Sequence, residues 1–340
     1  MRVGFVYDLR DDYLAEGFGE LDVAEFDSRE TVDAVAGALE RAGAEVERVG
    51  RGTVLVGRLA NGDRWDLVFS IAEGLYGRSR EAQVPALCEM FRQPYAFSDA
   101  LTMAATLDKA VAKRLVRDQG VPTAAFAVLR SPQDARAIDL PFPVFVKPVA
   151  EGTGKGCEAE SAVADAAGLE TVAQRLIAKF DQPAIVETYL PGREFTVGVI
   201  GNGDRATVIG VVEILIRPGV ADRVYSFANK EICEETVIYR LAEDAEARLA
   251  GARALDAYRA LDCRDAARLD LRSDAAGSPQ FLEVNPIAGL HPTHSDLPIL
   301  AGLAGWSYDG LIGAILGAAA DRYGLALADA PAISARTSVA

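Results

Sequence analysis

Cysteine and histidine are scarce in this chain, and their scarcity limits the chemistry that the protein can perform. The 340 residues include four cysteines and two histidines, and no two cysteines are spaced as a Cys-x-x-Cys pair. Neither a disulfide framework nor a thiolate zinc site is therefore expected. We interpret the four cysteines as reduced thiols of a cytoplasmic protein.

Basic residues and long apolar runs are also lacking. Acidic residues outnumber basic ones by 50 to 35, and the net charge of −15 argues against a nucleic-acid partner. No run of ~18 apolar residues is present, so no membrane association is expected. The N-terminal segment MRVGFVYDLRDD predicts a short strand that leads into charged residues, rather than a signal peptide. Local basic clusters can still bind an anionic ligand.

What is present is an ordinary globular composition with alternating strand and helix patterns. Hydrophobic residues make up 50% of the chain and charged residues 25%, which fits two or three packed domains. Ser28 is the predicted cap of an early helix, and residues 93–99 predict a strand. The chain divides into four predicted segments: a parallel α/β domain at residues 1–100, a unit with a Gly-rich loop at 101–190, a strand-rich unit at 191–325 and a flexible tail at 326–340.

The segments ARLDLR and QFLEVNP carry charged and amide side chains on predicted strands. Residues two apart on a strand share a face, so Arg268 points with Asp270, and Glu283 points with Asn285. The short turn between the segments predicts a hairpin that brings all four together. Two carboxylates and an amide are hard oxygen ligands, which suit Mg²⁺ that also holds phosphates. A surface hairpin with a solvated Arg–carboxylate pair is the open alternative.

The segment VFVKPVAEGTGKG is a predicted strand that carries Lys147 and then becomes a Gly-rich loop. In the loop, Gly152, Gly154 and Gly156 alternate with other residues, among them Thr153. Such loops expose backbone N–H groups that wrap phosphates. The loop lacks the Lys-Ser/Thr ending of a Walker A motif and the spacing of GxGxxG. A flexible hairpin tip is the open alternative.

Two further segments, IVETYLPGREF and TLDKAVAKRLV, hold charged candidates. In the first, a Pro-Gly break separates Glu187 from Glu194, which is typical of a hinge between domains. Acidic side chains near a hinge can accept hydrogen bonds from an adenine amino group or ribose hydroxyls, although a simple turn is the alternative. In the second, Lys109 and Lys113 lie four residues apart on one helix face, where most lysines are solvated.

In this order and spacing, the segments resemble the ATP-grasp superfamily and, more closely, the D-alanine–D-alanine ligase family. The resemblance covers about Val3 to Gly324, and its most specific parts are DK…K, VKP…EGTGKG, E…LPGREFTVGV, RLD and LEVNP. It implies a three-domain α/β ATP-grasp fold. In this fold an N-terminal parallel-sheet domain precedes two α+β subdomains that clasp ATP.

The resemblance also implies roles for individual residues. Arg268 and the backbone N–H of Gly289 would stabilise an oxyanion during catalysis, and Ser295 would hold the carboxylate of the second substrate. Lys230, on a lid-like loop, would reach a phosphate, as would Thr153. The implied ligands of two Mg²⁺ ions, or of Mn²⁺, are Asp270, Glu283 and Asn285. The implied ATP-binding residues are Lys109, Lys147, Gly152, Thr153, Gly154, Gly156, Glu187, Tyr189, Leu190, Glu194 and Lys230. The residues interpreted as lining the second-substrate pocket are His291, His294 and Ser295.

The implied activity is the ATP-dependent joining of an amino acid's carboxylate to an amine through an acylphosphate. ATP and Mg²⁺ are the implied cofactors, amino-acid-like molecules the implied partners, and a homodimer the implied assembly. Two interpretations stay open: a ligase whose substrate is not D-alanine, and a cell-wall D-alanine–D-alanine ligase. A third is a non-catalytic ATP-binding module, which the combination of metal-type and oxyanion-type residues argues against.

The N-terminal segment departs from the family pattern where the first substrate is expected. The family's Gly-rich turn and ammonium-binding glutamate are replaced by a longer acidic stretch, in which Glu25 could serve. Glu73 stands where the family usually has histidine. Arg78 and Arg80 follow as candidate ligands of a substrate carboxylate. Helix capping by Glu73 and surface positions for both arginines are the open alternatives.

Overall fold

The computed structural model describes residues 1–220 and 232–326. Lys230 and nearly all of the predicted tail, residues 327–340, lie outside the described residues. Three sheets organise the described chain: one parallel sheet of three strands and two antiparallel sheets of four and five strands. The α/β class predicted from the sequence is confirmed by this arrangement.

The parallel sheet is formed by the first three strands, with β1 in the centre and the order β2–β1–β3. Its strands are β1 (Arg2–Val6), β2 (Glu45–Gly50) and β3 (Leu67–Ser70). Ser28 caps the helix that follows β1, as predicted, because its Oγ accepts a hydrogen bond from the backbone N–H of Thr31 at 3.2 Å. The surrounding helices are α1 (Arg10–Ala15), α2 (Arg29–Arg41), α3 (Gly52–Ala60) and α4 (Gln83–Met90).

The strand predicted at residues 93–99 is wrong. Among the described residues, this segment makes an isolated bridge between Tyr95 and Val68 instead of a continuous strand. Phe97 has a φ of 73°, which breaks the extended backbone, and its N–H donates to Asp265 Oδ2 at 2.7 Å. At Phe97, a hydrogen bond to a residue far along the chain therefore takes the place of the strand pairing that the local sequence pattern predicts.

The four-stranded sheet has the order β4–β7–β5–β6 and carries the lysine and glutamate predicted to meet ATP. Phe145 lies opposite Glu187 and Lys147 lies opposite Ile185, so Lys147 and Glu187 are diagonal neighbours on one face. Its strands are β4 (Phe126–Leu129), β5 (Val144–Pro148), β6 (Ala162–Val163) and β7 (Ala184–Thr188). Helix α7 (Ala166–Phe180) packs on the other face, where residues such as Val146 and Leu176 form the core.

The five-stranded sheet has the order β10–β9–β8–β11–β12 and contains the predicted hairpin. Asp270 lies directly opposite Glu283, and Arg268 lies directly opposite Asn285. Its strands are β8 (Glu194–Ile200), β9 (Thr207–Ile216), β10 (Val237–Leu241), β11 (Ala266–Ser273) and β12 (Pro279–Asn285). The associated helices are α8 (Cys233–Thr236) and α9 (Ala245–Ala260), followed by α10 (Asp296–Leu303) and α11 (Tyr308–Tyr323).

The helices that link the sheets share their cores. Helix α5 (Ala100–Leu107) places Met103 in the core of the parallel sheet, and α6 (Lys109–Asp118) places Val116 against the five-stranded sheet. Helix α11 returns to the N-terminal core, where Ile315 packs with residues of α2. The boundaries predicted for the segments remain predictions, and α11, the last helix of the described residues, packs on the core of the parallel sheet.

Among the described helices, no single one is long and apolar enough to cross a membrane. The bent pair α10 and α11 together has sufficient length and apolar composition. Its apolar side chains, such as Leu297 and Ile315, are buried in the protein core.

Candidate active site

A cleft of ≈ 830 Å³, counted with the open space at its mouth, lies between the four-stranded and five-stranded sheets. One wall carries Lys147 and Glu187, and the other carries Asp270, Arg272 and Glu283. Residues from predicted segments that are far apart in the sequence therefore meet across one space. The predicted residues that line this cleft are Lys109, Lys147, Gly154, Glu187, Tyr189, Leu190, Glu194, Asp270 and Glu283.

A buried charge cluster forms the floor of the cleft. The Glu187 carboxylate lies 2.9 Å from Lys113 Nζ and 3.4 Å from Lys147 Nζ. Burial raises the pKa of Glu187, but the two lysines outweigh burial and hold it below the ordinary value. Burial likewise works to lower the pKa of Lys147, yet Glu187 and Glu283 raise it. Lys147 therefore stays cationic, as contact with a phosphate requires.

Lys113 is a site residue that sequence reasoning missed, because it was interpreted as solvated. The structure buries its side chain completely. Its Nζ donates to Thr123 Oγ1 at 2.8 Å and to the backbone oxygen of Phe281 at 2.9 Å. A signal was present: Lys109, Ala112, Lys113 and Val116 form one helical stripe, and all four are buried.

Replacing Lys113 with methionine should destabilise the protein, because Glu187 would keep a buried charge with one partner fewer. Breaking a buried pair from one side costs about 3 kcal/mol. The loss should appear as a lower midpoint in urea denaturation. The double variant Lys113→Met/Glu187→Gln should recover part of the lost stability, because no unpaired charge is left buried. Lys179→Met is the control, since it breaks an exposed ion pair with Glu158 and should lower stability little. A single variant as stable as the wild type would contradict this interpretation.

Lys109 joins the floor of the cleft to the Gly-rich loop. Its Nζ donates to the backbone oxygen of Glu151 at 2.6 Å and lies 3.3 Å from Glu283. In the loop, Thr153 has a φ of 50°, a strained conformation for a β-branched residue. Gly156 has a φ of 75°, and a Cβ there would lie 2.6 Å from Pro148. The position requires glycine for both reasons.

Glu25 fastens the Gly-rich loop to the N-terminal domain. Its Oε1 accepts from the backbone N–H of Gly152 and from Lys155 Nζ, both at 2.8 Å, and its Oε2 accepts from Arg80 at 2.8 Å. Burial works to raise the pKa of Glu25, but Arg80 and Lys155 lower it to about 2. We call this contact between Glu25, Arg80, Gly152 and Lys155 the loop latch.

The loop latch bears on two predicted substrate residues. Glu25 and Arg80 neutralise each other, so a substrate group would have to compete with an existing pair. Arg78 pairs with Asp108, and 76% of its side chain is exposed. Neither arginine lines a described cavity near the hairpin. Their roles in carboxylate binding stay predictions.

Replacing Glu25 with glutamine should release the loop, since three charge-assisted contacts lose their anion. Trypsin should then cut after Lys155 about tenfold faster, which corresponds to about 1.4 kcal/mol. The exposed variant Glu160→Gln is the matched control. Because the pKa of Glu25 is depressed, the stability that Glu25 gives the loop latch is fully present above pH 4.5, its ordinary pKa. This stability is lost as the pH falls towards 2. Equal cleavage of the Glu25→Gln variant and the wild type would argue against the latch.

The hairpin gathers the predicted metal and oxyanion residues. Arg268 donates to Asp270 Oδ2 at 3.0 Å and lies 3.1 Å from Asp296. Asp270 also accepts from Thr196 Oγ1 at 2.7 Å, and Glu283 faces it across the hairpin. These bonds fix the side chains at the edge of the cleft, next to Lys109 and Lys147.

The donor set fits Mg²⁺ that is shared with phosphates. Asp270 and Glu283 offer carboxylate oxygens. Asn285 adds an amide oxygen, and in the described chain its buried Nδ2 donates no hydrogen bond that would fix the orientation of the amide. Within residues 1–220 and 232–326, no three His, Cys, Asp or Glu side chains form a complete metal site. Oxygens from a bound phosphate would supply the remaining ligands.

The end of the cleft near the Pro-Gly break holds a charged residue that the sequence analysis did not predict. Arg272, which was not predicted, donates to Glu194 Oε2 at 3.2 Å and reaches the hydroxyl of Tyr189 at 3.5 Å. Leu190 is buried beside them. Arg272 sits two residues beyond Asp270 on the same strand face, so the i, i+2 rule applied to Asp270 could have found it.

A second, larger cavity of ≈ 1720 Å³, counted with the open space at its mouth, adjoins the cleft and shares Lys109, Glu151 and Glu283 with it. A Cβ on Gly289 would lie 2.7 Å from Ser295 Oγ, so the loop is close-packed there. Ser295 Oγ accepts from the backbone N–H of His291 at 3.0 Å. The predicted residues that line this cavity are Glu25, Glu73, Lys109, Gly152, Thr153, Arg268, Glu283, Asn285, Gly289, His291, His294 and Ser295.

Asp296 is a second residue that the sequence did not reveal. It lies at the start of α10, accepts from the hydroxyl of Tyr239 at 3.0 Å and pairs with Arg268. Arg268 is thus held between two carboxylates, Asp270 and Asp296. This arrangement fixes the direction of its guanidinium group.

Comparison with known proteins agrees with this geometry. Residues 115–317, more than half of the chain, match the family model "D-ala D-ala ligase C-terminus". The chain is 33% identical over 295 residues to a D-alanine–D-alanine ligase of Cupriavidus taiwanensis, covering 84% of this chain and 85% of that protein. It belongs to the D-alanine–D-alanine ligase family. The chain is also 36% identical over 263 residues to an uncharacterized protein, y4sG, of Sinorhizobium fredii, covering 76% of this chain and 75% of that protein.

Solved structures confirm the ATP-grasp fold. A crystal structure of D-alanine–D-alanine ligase from Bacillus anthracis complexed with ATP has a TM-score of 0.70 at 20% identity, covering 95% of this chain and 99% of that chain. The VanG D-Ala:D-Ser ligase from Enterococcus faecalis also has a TM-score of 0.70, at 20% identity, and covers 94% and 99% respectively. As a member of this family, the protein is an ATP-dependent ligase that forms a carbon–nitrogen bond.

Proposed function

We propose that this ligase joins an amino acid other than D-alanine to an amine or a second amino acid, through an acylphosphate. The observation that carries the proposal is the altered first-substrate side of the larger cavity. There, the resemblance puts Glu73 at the position where the family usually has histidine, while the hairpin residues of the expected chemistry are present. ATP would occupy the cleft, with its phosphates toward Lys109 and Lys147.

The proposed reaction has two steps. A carboxylate oxygen of the first substrate attacks the γ-phosphorus of ATP, the bond to ADP breaks, and an acylphosphate forms. The amine nitrogen then attacks the acyl carbon and loses a proton, and phosphate leaves. Mg²⁺ bound by Asp270, Glu283 and Asn285 would neutralise phosphate charge. Arg268 and the N–H of Gly289 would stabilise the oxyanion of the second step.

Closure over the acylphosphate is needed, since water would otherwise hydrolyse it. The loop latch supports this role, because it seats the Gly-rich loop over the cavity with Thr153 at its inner side. Ser295, His291 and His294 would meet the second substrate. Lys230, outside the described residues, stays a proposed phosphate ligand.

An authentic D-alanine–D-alanine ligase of the cell wall is the second candidate. The name of the Cupriavidus taiwanensis relative favours it. A cytoplasmic location, a homodimer and the absence of nucleic-acid or membrane partners are further proposals that fit either candidate.

The two candidates separate in one assay. Purified protein is incubated with Mg²⁺-ATP and D- or L-amino acids, singly and in pairs, while phosphate release is followed. D-alanine alone giving D-alanyl-D-alanine as the best reaction would establish the second candidate. Release that requires another amino acid would establish the first. No release with the amino acids alone would indicate an acceptor outside the panel, and no release even when hydroxylamine replaces the amine would overturn both.

A further inference from the structure

Among the described residues, three carboxyl groups on the N-terminal side of the larger cavity lack a side-chain partner at hydrogen-bond or ion-pair distance. Asp27, Glu73 and Glu81 all line the cavity and are half-buried. In the described part of the chain, none of the three makes a side-chain hydrogen bond or ion pair. The other acidic groups near the hairpin differ: Glu283 faces Lys109, and Asp296 faces Arg268.

This contrast matters because a half-buried carboxylate without a partner is costly. Burial and the nearby Asp8 raise the pKa of Asp27 to about 7. Burial raises the pKa of Glu81 to about 7 as well, while Arg80 and Lys109 oppose the rise and Glu25 adds to it. Burial, then Glu81 and Glu25, raise the pKa of Glu73 well above 4.5. All three groups would lose this penalty beside a cation.

The positive groups at this end do not supply that cation. Arg80 is committed to Glu25 in the loop latch. Arg10 lines the cavity, and its Nη2 donates to the backbone oxygen of Ala24 at 3.0 Å. Arg10 acts on Asp27, and Arg80 and Lys109 act on Glu81, but in the described chain none of these cations forms an ion pair with the three carboxyl groups. The α-ammonium group and a second cationic group of a substrate would give the three carboxyl groups partners at contact distance.

We propose that Asp27, Glu73 and Glu81 select a first substrate with a second positive charge: a basic amino acid with a side-chain ammonium or guanidinium group. This inference rests on the proposed function and specifies its substrate class. The substrate's carboxylate lies toward Lys109 and Arg268, which line the same cavity, and its cationic groups lie toward the three carboxyls. Glu73 contributes directly, since a histidine there would add no negative charge.

The test measures the first substrate without knowledge of the natural amine. Hydroxylamine replaces the amine, attacks the acylphosphate and yields a hydroxamate and phosphate. Hydroxamate formation with Mg²⁺-ATP is compared for lysine, ornithine and arginine and for the uncharged analogue norleucine, in both enantiomers. At least one basic amino acid should exceed norleucine and alanine in kcat/KM by about tenfold or more, the size of one charge-assisted contact.

Variants then assign the preference to the carboxyl groups. Glu73→Gln and Glu81→Gln should each lower the ratio of kcat/KM for the basic substrate to that for norleucine by about tenfold, with the KM for ATP unchanged. Glu40→Gln, an exposed change in the same domain, is the control. If one variant does not fold, the other variant and the wild-type preference still decide.

The outcomes distinguish this inference from the proposed function. Norleucine used as well as the basic amino acids would overturn the inference and leave the proposed function intact, whereas D-alanine used as well as the basic amino acids would overturn the inference and favour the cell-wall candidate. A preference for a basic amino acid that both variants retain would also overturn it, since the carboxyl groups would not cause the preference. No hydroxamate with any amino acid would overturn the proposed function itself.

Discussion

Replacing Asp270 with asparagine should lower kcat by about 10³-fold. The side chain would lose the charge that places a cation between the hairpin and the phosphates of ATP. It would also lose a hydrogen-bond acceptor for Arg268 Nη2, which now lies 3.0 Å away. The same variant should lose the rise in melting temperature that Mg²⁺-ATP gives the wild-type protein, which is a readout independent of turnover.

A matched control is available on the protein surface. Asp256→Asn changes an exposed carboxylate on α9 by the same chemistry and should keep both activity and the nucleotide-dependent stabilisation. The Asp270→Asn protein should still fold, because Thr196 Oγ1 can donate to the remaining oxygen. An Asp270→Asn enzyme with near wild-type turnover would show that the metal assignment is wrong.

Replacing Arg268 with lysine should lower kcat by about 10²-fold while the KM for ATP stays unchanged. Arginine reaches Asp270 and Asp296 with two separate nitrogens, at 3.0 and 3.1 Å. A lysine ammonium cannot keep both contacts and also face an oxyanion. Amide formation should suffer more than acylphosphate formation, so the amount of product per ADP should fall as the intermediate is lost to water.

Asp296→Asn provides the comparison for Arg268. Asp296 acts through the guanidinium rather than on the substrate, so its loss should reduce kcat by about tenfold, less than the loss of Arg268 itself. A drop confined to the KM for ATP in the Arg268→Lys enzyme would place this arginine with the nucleotide and contradict the oxyanion role. If the Arg268→Lys enzyme and the wild type made equal amounts of product per ADP, the oxyanion role of Arg268 would also be contradicted.

The features that the sequence predicted well depend on short-range rules. The hairpin of β11 and β12 follows from a period of two and a short turn, and the pairing of Asp270 with Glu283 and of Arg268 with Asn285 brings the four residues together as predicted. The Ser28 cap is similarly local. Five modest motifs in one order then indicated the family, which the comparisons confirm.

The features that escaped prediction depend on long-range contacts. Arg80 meets Glu25 across 55 residues, so its ion pair could not be seen in either segment alone. The backbone at Phe97 follows a hydrogen bond to a residue 168 positions away rather than its strand-like neighbours. Burial of Lys113 needed the position of β7, because a helical stripe alone does not say what it faces.

The chemistry of phosphoryl transfer offers the most direct test of the central claim. A first-substrate amino acid carrying isotopically labelled carboxylate oxygens is turned over with Mg²⁺-ATP and an amine, and the released phosphate is analysed by mass spectrometry. An acylphosphate requires one labelled oxygen to pass from the carboxylate to the phosphate in each turnover. Phosphate that carries the label at this ratio is the predicted result, and amide formation with unlabelled phosphate would contradict the account.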